Sequence, residues 1–382
     1  MNWIRDNIIK IVIGIFLIIV IIVVVVACGM GGGSVIDKSE GYISLENKLQ
    51  NAAIKYVNEH PKILPKATGT VKKVTLDTLI AAGKINKLYS ADDKSVVCKG
   101  YVEIEKISDD SKEYRYTPYL SCGKYYVTKT IGDYIIDKET NNGEFTRTSE
   151  DGLYEIGDEY VFRGEYPNNF IYIGDHLYRI MKVSSTGELQ LVSAVRTYDS
   201  YKWDDRYNIE KDRTIGINDF EKSRLNETLE FLYENTDTEQ GEVFFTKEKN
   251  YIVDYDFCIG KRSVADTNIY SGAECSKIVP LKVGLITISE FARASIDPNC
   301  KGIFDKSCAN YNFFTTLDNE NNYVIATLTA VAENTYEYFA IDYVAELKRA
   351  DVEKRLFPVF YINDKVIYKS GSGTYLDPYV VR

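Results

Sequence analysis

The chain has 382 residues, of which 45% are hydrophobic, 13% aromatic and 27% charged. That composition excludes a disordered chain and is long enough for two compact domains. Its 46 Lys and Arg stand against 56 Asp and Glu, a net charge of −10, which argues against a nucleic-acid binder, whose footprint is a basic surface. Only His60 and His176 are available as histidines, which rules out a three-histidine zinc site.

Residues 1–10 form a short charged tail containing Arg5 and Lys10. Residues 11–27 then read IVIGIFLIIVIIVVVVA, 17 apolar residues with no charge. At about 1.5 Å per residue they span roughly 25 Å, the order of a hydrocarbon core. This predicts a single N-terminal transmembrane helix. The basic residues precede it, so the tail is expected in the cytoplasm and residues 28–382 outside the cell membrane. Val25-Val26-Ala27-Cys28 also has the form of a lipobox, which makes Cys28 a lipidation candidate and lipid anchoring the alternative to an uncleaved helix. Residues 28–40, rich in glycine, read as a flexible tether.

Beyond Cys28 lie six cysteines: Cys98, Cys122, Cys258, Cys275, Cys300 and Cys308. An even number outside the cytoplasm points to disulfides. Local spacing favours Cys98–Cys122, Cys258–Cys275 and Cys300–Cys308, and the lack of any C-x-x-C pair argues against a zinc site.

Residues 41–130 are expected to form a small α/β domain. Leu45, Leu49, Ala52, Ala53, Tyr56 and Val57 recur at helical spacing, and His60-Pro61 ends that helix. Thr75 can cap a second, short helix that Gly83 closes. Two strands follow, Val96–Glu105 and Glu113–Cys122, around the turn residues Ser108–Lys112. A turn centred on Asp110 brings Cys98 opposite Cys122, Val102 opposite Pro118 and Ile104 opposite Tyr116. Turn position and cysteine position therefore agree on one register. Pro118 cannot donate to a ladder, so its strand belongs at an edge. Residues 131–154 read as a linker.

Residues 155–382 are dense in strand signals. Phe170–Ile173, His176–Val183 and Glu188–Val195 are separated by the hairpin turns Gly174-Asp175 and Ser184–Gly187. Ser223–Tyr233 carries Leu225, Leu229 and Leu232 on one helical face. Leu281–Ile288 is an apolar run before a short helix through Phe291, and strands are expected at Tyr323–Val331, Tyr336–Tyr343, Phe357–Ile362 and Tyr379–Val381. The glycine-rich Ser370–Thr374 lacks the P-loop lysine and reads as a hairpin turn.

Two resemblances bear on this layout. An apolar N-terminal helix, an amphipathic helix and a disulfide-tied hairpin over the first 130 residues resemble a type IV pilin or pseudopilin. Met1–Lys10 lacks the glycine of the prepilin cleavage site, and no glutamate occurs before Glu40, so the likeness is one of layout. In the second half the carrying residues are Phe162-Arg163-Gly164, Asn168-Asn169, Tyr178-Arg179-Ile180 and Glu188–Val192. Val283–Thr287, Arg355–Val359 and Ser370–Val380 follow in order. This stretch resembles an uncharacterised group of β-rich domains in exported, anchored proteins of Gram-positive bacteria, although Tyr178 stands where the group usually has tryptophan. Its pattern is also similar to C-type-lectin-like and sulfatase-modifying folds. The expected class is thus α+β: an N-terminal transmembrane helix, a small α/β domain with a disulfide-tied hairpin, and a larger β-rich domain. The resemblance implies no assigned chemistry.

No catalytic motif stands out. His176 lacks a nucleophile motif and reads as structural. Trp203, with Tyr198, Tyr201 and Tyr207 around it and Asp204 and Asp205 beside it, is the candidate ligand-binding face. Adjacent carboxylates in a strand point to opposite faces, so Asp204-Asp205 is a poor hydrolytic pair. Asp297, Asn299 and Asp305 offer oxygen donors without a calcium-loop spacing, and no metal or other cofactor is implied. The expectation is a non-enzymatic, membrane-anchored extracellular protein that presents a binding module to a protein, glycan or cell-wall ligand. The alternatives are a carboxylate-based cell-envelope hydrolase and a pseudopilin-like assembly component.

Overall fold

The computed structural model describes residues 38–382 apart from 108–111, 141–150, 175, 195–196, 198, 235–246, 318–324 and 343. The apolar segment 11–27, Cys28 and most of the tether lie outside the described residues, as does Tyr198. Among the described residues no helix is long and apolar enough to cross a membrane. The chain divides into two compact units, residues 1–127 and 128–382.

In the smaller unit, helix α1 (Lys38–Glu59) packs on a three-stranded antiparallel sheet of β1 (Val71–Thr75), β2 (Lys99–Lys106) and β3 (Tyr114–Ser121), in the order β1-β2-β3. The helix buries Tyr42, Leu49, Ala52, Ala53 and Val57 against Val102, Ile104 and Leu120, which alternate along the two strands. Each large apolar side chain fully buried there contributes on the order of 2 kcal/mol. Gly100 allows the close approach: a Cβ at that position would lie 2.5 Å from the Tyr119 carbonyl oxygen and 3.1 Å from Leu49. The predicted register holds, with Val102 facing Pro118 and Ile104 facing Tyr116, and the Cys98–Cys122 disulfide closes the end of the ladder. Pro118 lies on the edge strand β3, where its missing N–H costs nothing.

The short helix α2 (Leu76–Ala81) starts as expected: the Thr75 side chain accepts from the Thr78 N–H. It ends in a Schellman motif. The Gly83 N–H bonds the Ile80 carbonyl and the Lys84 N–H bonds the Leu79 carbonyl, with Gly83 at φ 66°.

The larger unit begins earlier than the sequence implies. Residues 131–154, expected as linker, include helix α3 (Ile131–Thr140) and strand β4 (Gly152–Ile156). Ile131 and Ile135 are fully buried in the unit's core, so the first of these elements is part of the fold and corrects the linker assignment. The apolar residues of α3, Ile131, Tyr134, Ile135 and Ile136, all fall in the first six positions of a ten-residue helix, a local signal too short to mark it.

A nine-stranded sheet forms the centre. It contains β4, β5 (Glu159–Arg163), β6 (Phe170–Ile173), β7 (His176–Val183) and β8 (Leu189–Ser193). Beyond helix α4 (Arg224–Glu234), strand β9 (Ile252–Val253) joins the same sheet. Strand β10 (Tyr255–Cys258) and the two-residue β11 (Lys261–Arg262) do not. Next come β12 (Ile278–Leu281), helix α5 (Ile288–Arg293), β13 (Ile325–Val331), β14 (Glu337–Asp342) and β15 (Val344–Arg349). Strands β16 (Val359–Ile362), β17 (Tyr368–Ser370) and β18 (Tyr379–Val381) end the chain. The order across the sheet is β9-β16-β8-β7-β6-β18-β17, with β5 also pairing β7 and β4 pairing β5.

All of β8 and β16 is buried, as a strand covered on both faces must be. A second sheet of four strands, β11-β13-β14-β15, and a small pair, β10-β12, pack beside it. Helix α4 turns Leu225, Leu229 and Leu232 into the core, the face expected from spacing. Helix α5 carries a complete capping box between Thr287 and Glu290. The Cys258–Cys275 and Cys300–Cys308 disulfides are present. Three disulfides fit an extracellular or secreted location.

Candidate functional site

The aromatic face expected around Trp203 is not a surface. Trp203 is 1% exposed, its indole N–H donates to the Thr327 carbonyl at 3.1 Å, and its ring stacks on Tyr338 at 5.7 Å and meets Phe220 edge-on. A tryptophan whose one polar atom is satisfied inside the core has nothing left to offer a ligand. Asp204 is equally buried. Its carboxylate takes Arg206 Nε on both oxygens (2.9 and 3.0 Å) and the backbone N–H groups of Ile217 and Arg224. It is therefore a structural acceptor that fixes a loop and starts α4. Asp205 points the other way and pairs with Arg224 at 3.1 Å. Tyr201 sits in a short strand paired with Lys354 and packs on the core. Tyr207 is exposed and donates to Asp212. These residues are not brought together as a binding face, which corrects that expectation.

His176 Nδ1 lies 2.7 Å from Glu248 Oε1, and Glu248 is fully buried. Asp297 accepts from the Asn310 side chain and the Asn299 N–H, which hold its carboxyl below the usual range. Asp305 accepts from the Lys301 and Gly302 N–H groups. These two acids organise the Cys300–Cys308 loop. Among the described residues no cluster of metal-ligating side chains occurs.

Several of the residues singled out in the second half of the sequence turn inward, whereas Asn168, Tyr375 and Leu376 are exposed. Asn169 Nδ2 donates to the Ile180 carbonyl and its Oδ1 accepts from Arg179 Nε at 2.6 Å. Arg179 is 2% exposed and lies between the rings of Phe170 and Phe313, and its Nη1 reaches Thr316. Burial pulls its guanidinium down to about 9, which still leaves it charged at neutral pH. Arg163 Nη2 donates to the Ser295 carbonyl, and the Phe170 N–H bonds the Gly373 carbonyl. Gly373 sits at φ 80°, where a Cβ would lie 2.4 Å from the Asn168 carbonyl oxygen. The motif is thus a lock between β6, β7 and the terminal hairpin rather than a reacting centre.

A concave feature of the unit lies elsewhere. A groove of about 570 Å³ opens between the sheet, strand β10 and helix α5. Its floor is Gln190 and Tyr361 from β8 and β16, and its walls carry Glu159, Lys182, Glu290 and Arg293, with Asp254, Tyr255 and Asp256 across from them. An apolar slot adjoins it, lined by Phe162, Met181, Phe313 and Phe314 among others.

The polar groups are arranged by the fold. Lys182 pairs with Glu159 at 2.7 Å. Glu290 Oε2 accepts from the Thr287 N–H as part of the capping box, while its Oε1 accepts from Gln190 Nε2 at 3.0 Å. Gln190 is 1% exposed, yet its Oε1 has no hydrogen-bond partner. Tyr255 stacks on Tyr361 at 3.6 Å. Burial, then the charge of Glu290, pushes the Tyr361 phenol well above its ordinary range. Burial raises the Tyr255 phenol as well, so both stay protonated at neutral pH. Four carboxylates against two cations make the lining net acidic.

A buried ion pair lies beside the groove. Arg262, with no exposed surface, donates to Glu274 at 2.9 Å, to Ser289 at 2.8 Å and to the Asp266 and Asn268 carbonyls. Glu274 also accepts from the Ser289 hydroxyl and N–H. Cys275 and Glu290, each adjacent to a member of this network, both line the groove. The groove residues come from six separate elements, and the sequence carried one local sign of them, the Thr287–Glu290 capping pattern. The chain matches no protein-family model, no curated protein and no solved structure.

Proposed function

We propose that this protein is anchored in the cell membrane by residues 11–27, or by a lipid on Cys28, and displays its larger unit outside the cell as a binding module. The three disulfides support an extracytoplasmic location, and the apolar segment supports the anchor. The ligand site is the groove between β8, β10, β16 and α5. The observation that carries this reading is the groove itself, where the stacked Tyr255 and Tyr361 and four carboxylates converge above the buried Gln190 amide. With a net-acidic lining and a tyrosine stack beside it, the groove suits a ligand rich in hydroxyl or amino groups, and an amine-bearing glycan of the cell surface is the class we favour.

Glu159 and Glu290 do share the groove, which is what a carboxylate hydrolase would need. Both are already engaged, one by Lys182 and the other by the helix cap and Gln190, so binding fits better than turnover. The test is binding of glucosamine oligosaccharides to the full-length chain in neutral detergent. Binding that Asp256→Asn and Tyr255→Ala each weaken upholds the reading. Hydrolysis of the oligosaccharide, or binding that both variants leave untouched, overturns it.

A further inference from the structure

The smaller unit carries a second concave site of opposite character. Its groove, about 650 Å³, lies between α1 and the chain that follows α2. Lys48 and Lys55 stand two turns apart on one face of α1, in line with Leu45 and Ala52. The Schellman turn at Gly83 then reverses the chain, and Lys84, Lys87 and Lys94 line the facing wall. Leu45, Ile85 and Leu88 give an apolar floor, and Asn51 and Asn86 add amide donors. Among the described residues no acidic side chain lines this groove. Glu59 pairs with Lys84 at the groove's edge, whereas Asp92 is taken by the Tyr42 hydroxyl and Asp93 by Ser95 and Tyr125.

The wider charge distribution runs the same way. Residues 38–127 hold 15 Lys and Arg against 11 Asp and Glu, a net of +4, whereas residues 128–382 hold 29 against 43, a net of −14. A chain that is acidic as a whole has thus collected cations around one hollow. With Lys84 paired to Glu59, the four ammonium groups of Lys48, Lys55, Lys87 and Lys94 share one concavity, where they repel each other unless an anion sits among them. A merely solubilising set of lysines would be scattered and would not share a hollow with two asparagines and no acid.

We infer that this groove is a binding site for phosphate-bearing polyanions, with several phosphate groups held at once by Lys48, Lys55, Lys87 and Lys94. Ammonium groups act as point charges that suit phosphate, and the flexible stems tolerate irregular spacing between phosphates. The same chemistry can come from a soluble phosphate chain or from the headgroups of anionic lipids. The inference is independent of the ligand assigned to the larger unit.

The experiment uses full-length protein in neutral detergent, with sodium tripolyphosphate titrated at two salt concentrations. A second arm measures co-sedimentation of protein reconstituted in phosphatidylcholine vesicles with vesicles of phosphatidylglycerol. The groove variant is Lys48→Gln/Lys55→Gln/Lys87→Gln. The control, Lys62→Gln/Lys66→Gln/Lys124→Gln, removes the same charge from exposed positions of the same unit outside the groove. Each groove lysine removed is expected to weaken binding roughly fivefold, so the triple variant loses about a hundredfold, and the wild type weakens as salt rises. Tripolyphosphate binding assigns a soluble chain, and vesicle binding alone assigns headgroups. Either upholds the site if the groove triple abolishes it and the control triple does not. No binding in either arm, or equal loss in both triples, overturns it.

Discussion

Replacing Arg262 by methionine tests how the core beside the larger unit's groove is held. Arg262 and Glu274 are 0% and 2% exposed, and Ser289 completes the network. Removing the cation leaves a carboxylate in the core with only the Ser289 hydroxyl and N–H as partners. Breaking a buried pair from one side costs about 3–5 kcal/mol, because the remaining charge is uncompensated. For a unit of this size each kcal/mol corresponds to about 2–4 °C, so the melting temperature should fall by roughly 6–20 °C. The double variant Arg262→Met/Glu274→Leu removes both charges and should regain most of the loss. The chain has two tryptophans, and Trp203 stacks in the core of the larger unit, so in a Trp3→Phe background its fluorescence follows that unit alone. Urea unfolding at neutral pH gives both free energies. A single variant that loses less than about 1 kcal/mol, or a double variant as unstable as the single one, would refute the claim that this charge pair organises that part of the core.

Three further outcomes are expected. Cys98→Ser/Cys122→Ser opens a loop whose ends are 24 residues apart and should cost the smaller unit about 3.5 kcal/mol on the loop-entropy scale, read from urea unfolding by circular dichroism. Gly373→Ala forces a Cβ against the Asn168 carbonyl oxygen at φ 80° and should cost more than about 2 kcal/mol. Gly272→Ala, at φ −90° with nothing within 4 Å, should stay within about 1 kcal/mol of wild type in the same thermal melts. The Asn310 amide and the Asn299 N–H hold the Asp297 carboxyl below its unfolded value, so Asp297 adds stability above that value and loses it as pH falls through the folded one. Asp297→Asn should flatten the acid limb of melting temperature against pH. An unchanged limb would mean that those hydrogen bonds do not favour the charged form.

How far the fold could be read from the residues depended on the range of the signal. The strand register of the smaller unit's hairpin was legible, because the expected turn, Pro118 and the cysteine pair agreed on it, although the turn at 108–111 itself lies outside the described residues. Helix α4 was legible from three leucines on one face, and α2 from a cap at Thr75 and a stop at Gly83. Helix α3 was not, since its apolar residues are confined to Ile131–Ile136 and only the core they enter gives them meaning. The order of the nine-stranded sheet was out of reach for a related reason. Strand β18, at the chain's end, runs parallel to β6 more than 200 residues earlier, and no local pattern encodes such a pairing.

The site was harder still, and the error at Trp203 explains why. A tryptophan flanked by tyrosines and carboxylates looks amphipathic in sequence, but what decides its role is whether its N–H finds an internal acceptor. The Thr327 carbonyl that satisfies it lies 124 residues away. The converse holds at Gln190, which sits in a strand of buried residues and draws no notice in sequence. It matters because its carbonyl is left without a partner where six separate elements converge. In both cases the informative quantity is the hydrogen-bond balance of one polar atom after folding, and residue type alone does not carry that balance. The lysine groove lies between these extremes. Lys48 and Lys55 share a helix face and could be paired on paper, but the lysines that complete the hollow arrive only because Gly83 turns the chain back along that face.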